Sequence, residues 1–206
     1  SKTQKLSCPI RSWKKIEKDS IATLASKGFI IKQSDNIHFF HQTFFDYVFA
    51  RYFVQSEQSL KDYIFKNHQG LFIRPHIKSV LDFLRGEDEN SYQNELKGII
   101  NDDKTRFHIR LLIANMIGTQ SEPSYFEQQI VFENIFLDKN LKGAFLEQVN
   151  ISGWWNALLK AKIIHELVKH YNNGEQQYRN PNLSHRFLVK SGRLLPNEIL
   201  KYLDRK

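Results

Sequence analysis

Residues 38–54 read HFFHQTFFDYVFARYFV, and from residue 40 onward almost every position is apolar. Phe40, Phe44, Phe45, Tyr47, Val48, Phe49, Tyr52, Phe53 and Val54 would cover a helix on all sides. A helix of that kind is either buried or lost to aggregation, so this one is expected at the centre of a packed body. Thr43 followed by Asp46 predicts a variant capping box and a helix start at Thr43. His41 then stands just outside the helix, where open amides and the helix dipole favour an anion. A neutral imidazole there can donate a hydrogen bond to a phosphate; on position alone the preferred reading is a junction histidine bonded to a carbonyl.

Upstream, residues 1–11 show little apolar periodicity and predict a poorly ordered lead-in. Ser12 is placed to cap a helix running to about Lys27, with Trp13, Ile16, Ile21, Leu24 and Ala25 inward and Gly28 as its stop. Phe29–Gln33, a Ser34-Asp35-Asn36 turn and Ile37–Phe40 then predict a β-hairpin. Helix, hairpin wing and helix make the tail end of a winged helix.

The pattern Phe39-x-His41-x-Thr43-Phe44-x-Asp46-Tyr47-x-x-Ala50 resembles the winged-helix end of NACHT-type STAND NTPases, the nucleotide-switched ATPases of innate immunity and antiphage defence. The resemblance is carried by residues 29–54. It implies that His41 touches the β-phosphate of bound ADP, and that Phe39, Thr43, Phe44, Asp46, Tyr47 and Ala50 shape the motif around it. It implies a lid on the nucleotide rather than a DNA reader, and the acidic hairpin turn agrees. It also implies a parent protein with ATP or ADP and Mg, an upstream NTPase module as partner, a protein trigger, and homo-oligomers on activation.

Past Ser56 the spacing becomes helical throughout. Leu60, Tyr63 and Ile64 mark a short helix; Ile73, Ile77, Val80, Leu81 and Leu84 share a face that starts at Pro75 and stops at Gly86. Tyr92, Leu96, Ile99 and Ile100 follow, then Phe107, Leu111, Ala114 and Ile117 before Gly118. Tyr125–Phe136 and Leu141–Val149 give two more, and Trp154–Tyr171 reads as one long helix. A loop at Tyr171–Pro181 and two short helices, Leu183–Lys190 and Pro196–Leu203, complete the chain. Helix pairs thus recur about every 35–40 residues, the spacing of a HEAT- or armadillo-like stack, with a plain bundle as the alternative.

Much familiar chemistry is excluded by the sequence. No Gly-x-x-x-x-Gly-Lys-Ser/Thr occurs, so this chain is not expected to be an enzyme on its own, and no cofactor is expected within it. His165-Glu166 with His170 imitates a zinc-protease helix, but an i, i+5 spacing turns the second imidazole away, and no metal is expected. Asp102-Asp103 reads as the cap of the next helix and Trp154-Trp155 as core. Cys8 is the only cysteine, which suits a reducing compartment and a cytoplasmic reading. No apolar run is long enough to span a membrane.

The net charge of +8 is spread along the chain. Two basic stretches stand out, Lys104-x-Arg106-x-His108-x-Arg110 and the segment holding Arg179, Arg186, Lys190 and Arg193. Both read first as solvated surface; the alternative is that the second lines one edge of the array and contacts phosphate or nucleic acid. Acidic residues stand just before both, Asp102-Asp103 ahead of the first and Glu175 ahead of the second, so nucleic-acid contact is expected to be weak and to fade with salt.

The fold expected is therefore mainly α: a winged-helix end with one β-hairpin over residues 1–56, then a degenerate HEAT/armadillo-like array of antiparallel helices over residues 57–206. The function expected is that of a fragment of a STAND/NACHT NTPase, supplying a nucleotide-sensing histidine and part of a helical sensor. The alternative is a free-standing helical-repeat module binding protein or nucleic acid.

Overall fold

In the computed structural model, residues 7–9, 18–173 and 182–203 are described. The first helix, α1 (Lys18–Ser26), ends as expected at Gly28, whose φ of +73° only glycine adopts without strain. The Phe29 amide donates to the Leu24 carbonyl and the Gly28 amide to that of Ala25, each at 3.0 Å, closing the helix in a Schellman motif. The expected beginning of this helix, including Ser12, Trp13 and Ile16, lies outside the described residues.

The hairpin is also present, as β2 (Ile30–Gln33) and β3 (Asn36–Phe39), with Ile30 and Ile37 buried. A third strand joins it: β1 (Ser7–Pro9) pairs antiparallel with β3, giving the order β1-β3-β2. The lead-in expected to lack order is therefore structured over those three residues. Its pairing with a distant strand supplies an order that no local periodicity announces.

Next come α2 (Gln42–Gln55), α3 (Leu60–Lys66), α4 (Arg74–Glu87) and α5 (Glu89–Ile100), with a 3-10 turn at Leu71–Ile73. Pro75 sits in the first turn of α4, where its missing N–H would have had no intrahelical partner. Then follow α6 (Phe107–Gly118), α7 (Tyr125–Glu133), a 3-10 turn at Ile135–Leu137, α8 (Lys139–Gln148) and α9 (Ile151–Lys160). The series ends with α10 (Ile163–Asn173), α11 (Leu183–Leu194) and α12 (Pro196–Leu203). The chain is mainly helical, with one antiparallel sheet among the described residues. No helix among them is long and apolar enough to cross a membrane.

Two local expectations fail for identifiable reasons. Trp154–Tyr171 is two helices, because Lys162 takes a left-handed φ of +60° after the Ala161 and Lys162 amides have closed α9. Neither glycine nor proline marks that break. Asp102 does not cap α6, whose N-cap is Arg106; its carboxylate instead accepts from the Lys104 amide at 2.8 Å and builds the preceding turn.

By contacts the chain divides into two units, Ser1–Glu95 and Leu96–Lys206. The sequence reading divides it after residue 56, but α2 packs chiefly on α4, and the first unit continues into α5. In the second unit α6 packs on α8, and α11 on α8, α9 and α10. Its centre is aromatic: Trp154, fully buried, stands edge-on to Phe145 at 4.9 Å between centroids and to Phe132 at 6.5 Å. Trp155 is buried too, so both tryptophans are core, as expected.

Candidate functional site

The motif residues gather where the sheet meets α2. His41 has an extended backbone, φ −124° and ψ 138°, and forms the N-cap of α2, its carbonyl accepting from the Phe45 amide at 3.2 Å. The helix thus starts one residue earlier than expected, at Gln42, and the Thr43–Asp46 capping box does not form. Thr43 is already inside the first turn, and the Asp46 carboxylate accepts instead from the Gln42 side-chain amide at 2.7 Å. The His41 side chain makes no cap hydrogen bond. Its ring is exposed and stands edge-on to Phe40 at 4.4 Å between centroids.

The aromatic members of the motif serve packing. Phe44 stacks on Phe29 at 4.9 Å, and Phe39 meets Phe45 at 5.2 Å and Phe44 at 6.0 Å, so the hairpin is pinned to the start of α2. Ala50 is fully buried. Tyr47 is half-exposed beside Phe83 of α4.

The expectation that α2 is buried all round does not hold. Only Ala50 and Phe53 are buried, while Tyr47, Val48 and Tyr52 are exposed, Tyr52 at 71%. Together with Phe40 they leave apolar surface on the motif helix. The reason is geometric: α4 covers one side of α2, and the all-apolar pattern does not say which sides have neighbours.

Beside the motif, His76 of α4 stacks on Phe49 at 4.0 Å, and its Nδ1 shares a 2.6 Å hydrogen bond with the Tyr63 hydroxyl of α3. Burial lowers its pKa below the ordinary 6.5, with Asp46 pulling weakly the other way, and burial raises that of Tyr63. A depressed histidine pKa means that the unfolded chain binds more protons near and below pH 6.5. The contribution of His76 to stability is therefore fully present above that pH and lost as the pH falls through it toward the folded value. Chemical denaturation at pH 7.5 and 5.5 should show this loss, and His76→Gln should remove its share; an equal loss in the variant would refute the assignment.

The second set of expected residues lies on α11. Arg186, Lys190 and Arg193 recur on one helical face and line a groove of about 300 Å³ with Leu146, Leu183 and Phe187. Lys190 donates to the Val149 carbonyl at the end of α8 at 3.2 Å, so part of its charge serves the fold. Glu147 lies in the same groove. Arg179 lies outside the described residues.

The zinc-like helix holds other partners: His165 shares a 3.0 Å hydrogen bond with Tyr202, and Glu166 pairs with Lys142 at 2.8 Å. Among the described residues no three His, Cys, Asp or Glu side chains cluster as a metal site. Two features escaped the sequence. Glu95 caps α3 from a distance, and Arg110, read there as part of a basic stretch, lines a cavity of its own. No protein-family model matches this chain, and no curated protein or solved structure matches it.

Proposed function

We propose that this chain is the winged-helix end and first sensor helices of a nucleotide-switched NTPase of the NACHT type, in which His41 contacts the β-phosphate of bound ADP. The observation that carries this reading is the state of His41. It is an exposed imidazole on extended backbone at the head of a 14-residue helix that it leaves without a side-chain cap. The first amides of a helix have no intrahelical partner, so imidazole and amides together suit an anion. The sheet order β1-β3-β2, with α1 between β1 and the hairpin, is compatible with a winged-helix end. The exposed apolar side of α2 is surface that a neighbouring body, here the upstream NTPase module, would cover.

In this reading ATP or ADP with Mg is held upstream, the chain itself turns over no nucleotide, and activation proceeds through homo-oligomers in defence or signalling. Packing of α6 on α8, and of α9 on α11, supports a degenerate HEAT-like stack that senses a protein trigger. A second reading, a helical module with weak phosphate contacts, is favoured by the Arg186, Lys190 and Arg193 groove.

The test is His41→Ala in a protein that carries both this chain and its NTPase module. Losing one hydrogen bond to a charged acceptor weakens ADP retention about tenfold and raises basal signalling accordingly. Since His41 is exposed and makes no cap bond, the stability of the 206-residue chain should change by less than about 0.5 kcal/mol. Unchanged ADP affinity and basal activity would leave His41 as an ordinary junction residue.

A further inference from the structure

Arg110 of α6 holds a guanidinium whose hydrogen-bonding capacity is only partly used. Its Nη2 donates to the Asp102 carbonyl oxygen at 2.8 Å, which fixes the guanidinium plane, while its Nε is buried with no hydrogen-bond partner. Among the described residues no carboxylate pairs with it. A guanidinium has five donors in a fixed fork that matches a carboxylate or phosphate. Arg110 lines a cavity of about 560 Å³, within the range of small-molecule sites.

The rest of the lining narrows the ligand. Asp103 and Asp138 face the same cavity, so one positive charge is set against two negative ones. A phosphate dianion meets repulsion there, whereas a ligand bearing both a carboxylate and an ammonium meets a partner for each. Asp138 is held in place by accepting from the Asn140 and Leu141 amides at 2.7 and 3.1 Å. Asn134 donates to Asn101 at 2.8 Å and braces the wall between. Ile135 and Leu141 supply apolar lining, and Leu137, 81% exposed, stands at the open side.

We propose that this cavity binds a free α-amino acid with an apolar side chain, its carboxylate on Arg110 and its ammonium on the Asp103 and Asp138 side. The site lies within the second unit and does not depend on the nucleotide reading of His41.

The test is isothermal titration of the 206-residue chain with four probes: L-leucine, 4-methylpentanoate, which lacks the ammonium, 3-methylbutylamine, which lacks the carboxylate, and inorganic phosphate. L-leucine should bind with a Kd of about 1 mM or below, and about tenfold more tightly than either half-ligand. Arg110→Met should reduce L-leucine to the level of the amine, and Asp103→Asn to that of the acid. Asp103 is exposed, so its variant decides the matter even if Arg110→Met fails to fold. Equal binding of L-leucine and 4-methylpentanoate, tighter binding of phosphate, or no binding of any probe at about 10 mM would each overturn the proposal.

Discussion

Replacing Gly153 with alanine is expected to destabilise the second unit by about 3 kcal/mol or more, the upper end of overpacking penalties. Gly153 is in the first turn of α9, where its amide donates to the Asn150 side chain at 3.2 Å. The Asn150 amide in turn donates to the Gly118 carbonyl at 2.7 Å. The chain leaving α6 passes directly over this turn. A Cβ on residue 153 would overlap the Ser121 carbonyl oxygen, 2.7 Å from the Ser121 carbonyl carbon and 2.9 Å from the Gln120 oxygen. All three atoms are backbone, so no side-chain rotation relieves the overlap.

The sign makes the test sharp, because a glycine replaced by alanine inside an open helix normally gains about 0.5–1 kcal/mol. Gly192→Ala in α11, with nothing within 4 Å of the added carbon, should show that gain. Denaturant midpoints of the two variants should move in opposite directions. If Gly153→Ala matched Gly192→Ala, the close approach of the two backbones would be refuted.

Removal of the Glu95 carboxylate should have the next largest effect, about 2–3 kcal/mol on the first unit. Helix α3 has only seven residues, of which Leu60 and Ile64 are buried. Its first amides are nevertheless all satisfied. Leu60 and Lys61 donate to the two oxygens of Glu95 at 2.9 and 3.3 Å, and Asp62 donates to the Ser59 hydroxyl at 3.4 Å. The acceptor is a half-buried carboxylate set at the positive end of the helix, which strengthens both bonds. Glu95→Ala leaves two amides at a partly buried helix start, whereas Glu95→Gln keeps one acceptor and loses the charge. The expected order in urea midpoint is wild type, then Glu95→Gln, then Glu95→Ala; three equal midpoints would show that water replaces the carboxylate without loss.

Both predictions rest on contacts between residues far apart in the sequence, and the same distinction separates what was legible there from what was not. Helix periodicity, the Gly28 stop, the Pro75 start and the turn at Ser34–Asp35 are written in runs of adjacent residues, and they reappear in the structure. So does the clustering of Arg186, Lys190 and Arg193, since i, i+4, i+7 spacing puts charges on one face wherever the helix packs. The position of His41 at the head of α2 was also legible, although its cap was misread. The true start depends on which residue turns extended to leave the sheet, and Thr43 and Asp46 fit a capping pattern whether or not the chain uses it.

The sequence by itself determined a mainly helical chain with a hairpin ahead of an aromatic helix, because local spacing and turn chemistry act on neighbours. Only the tertiary structure decided that Ser7–Pro9 becomes a third strand, that Tyr47 and Tyr52 stay exposed, and that Lys162 breaks a helix with no breaker residue. It alone decided, too, that Gly153 meets the Ser121 backbone and that the Arg110 Nε is buried without a hydrogen-bond partner. Each of these depends on which distant segment comes to lie alongside. An apolar or charged side chain declares what kind of neighbour it needs, and the packing of the whole chain decides whether that neighbour arrives.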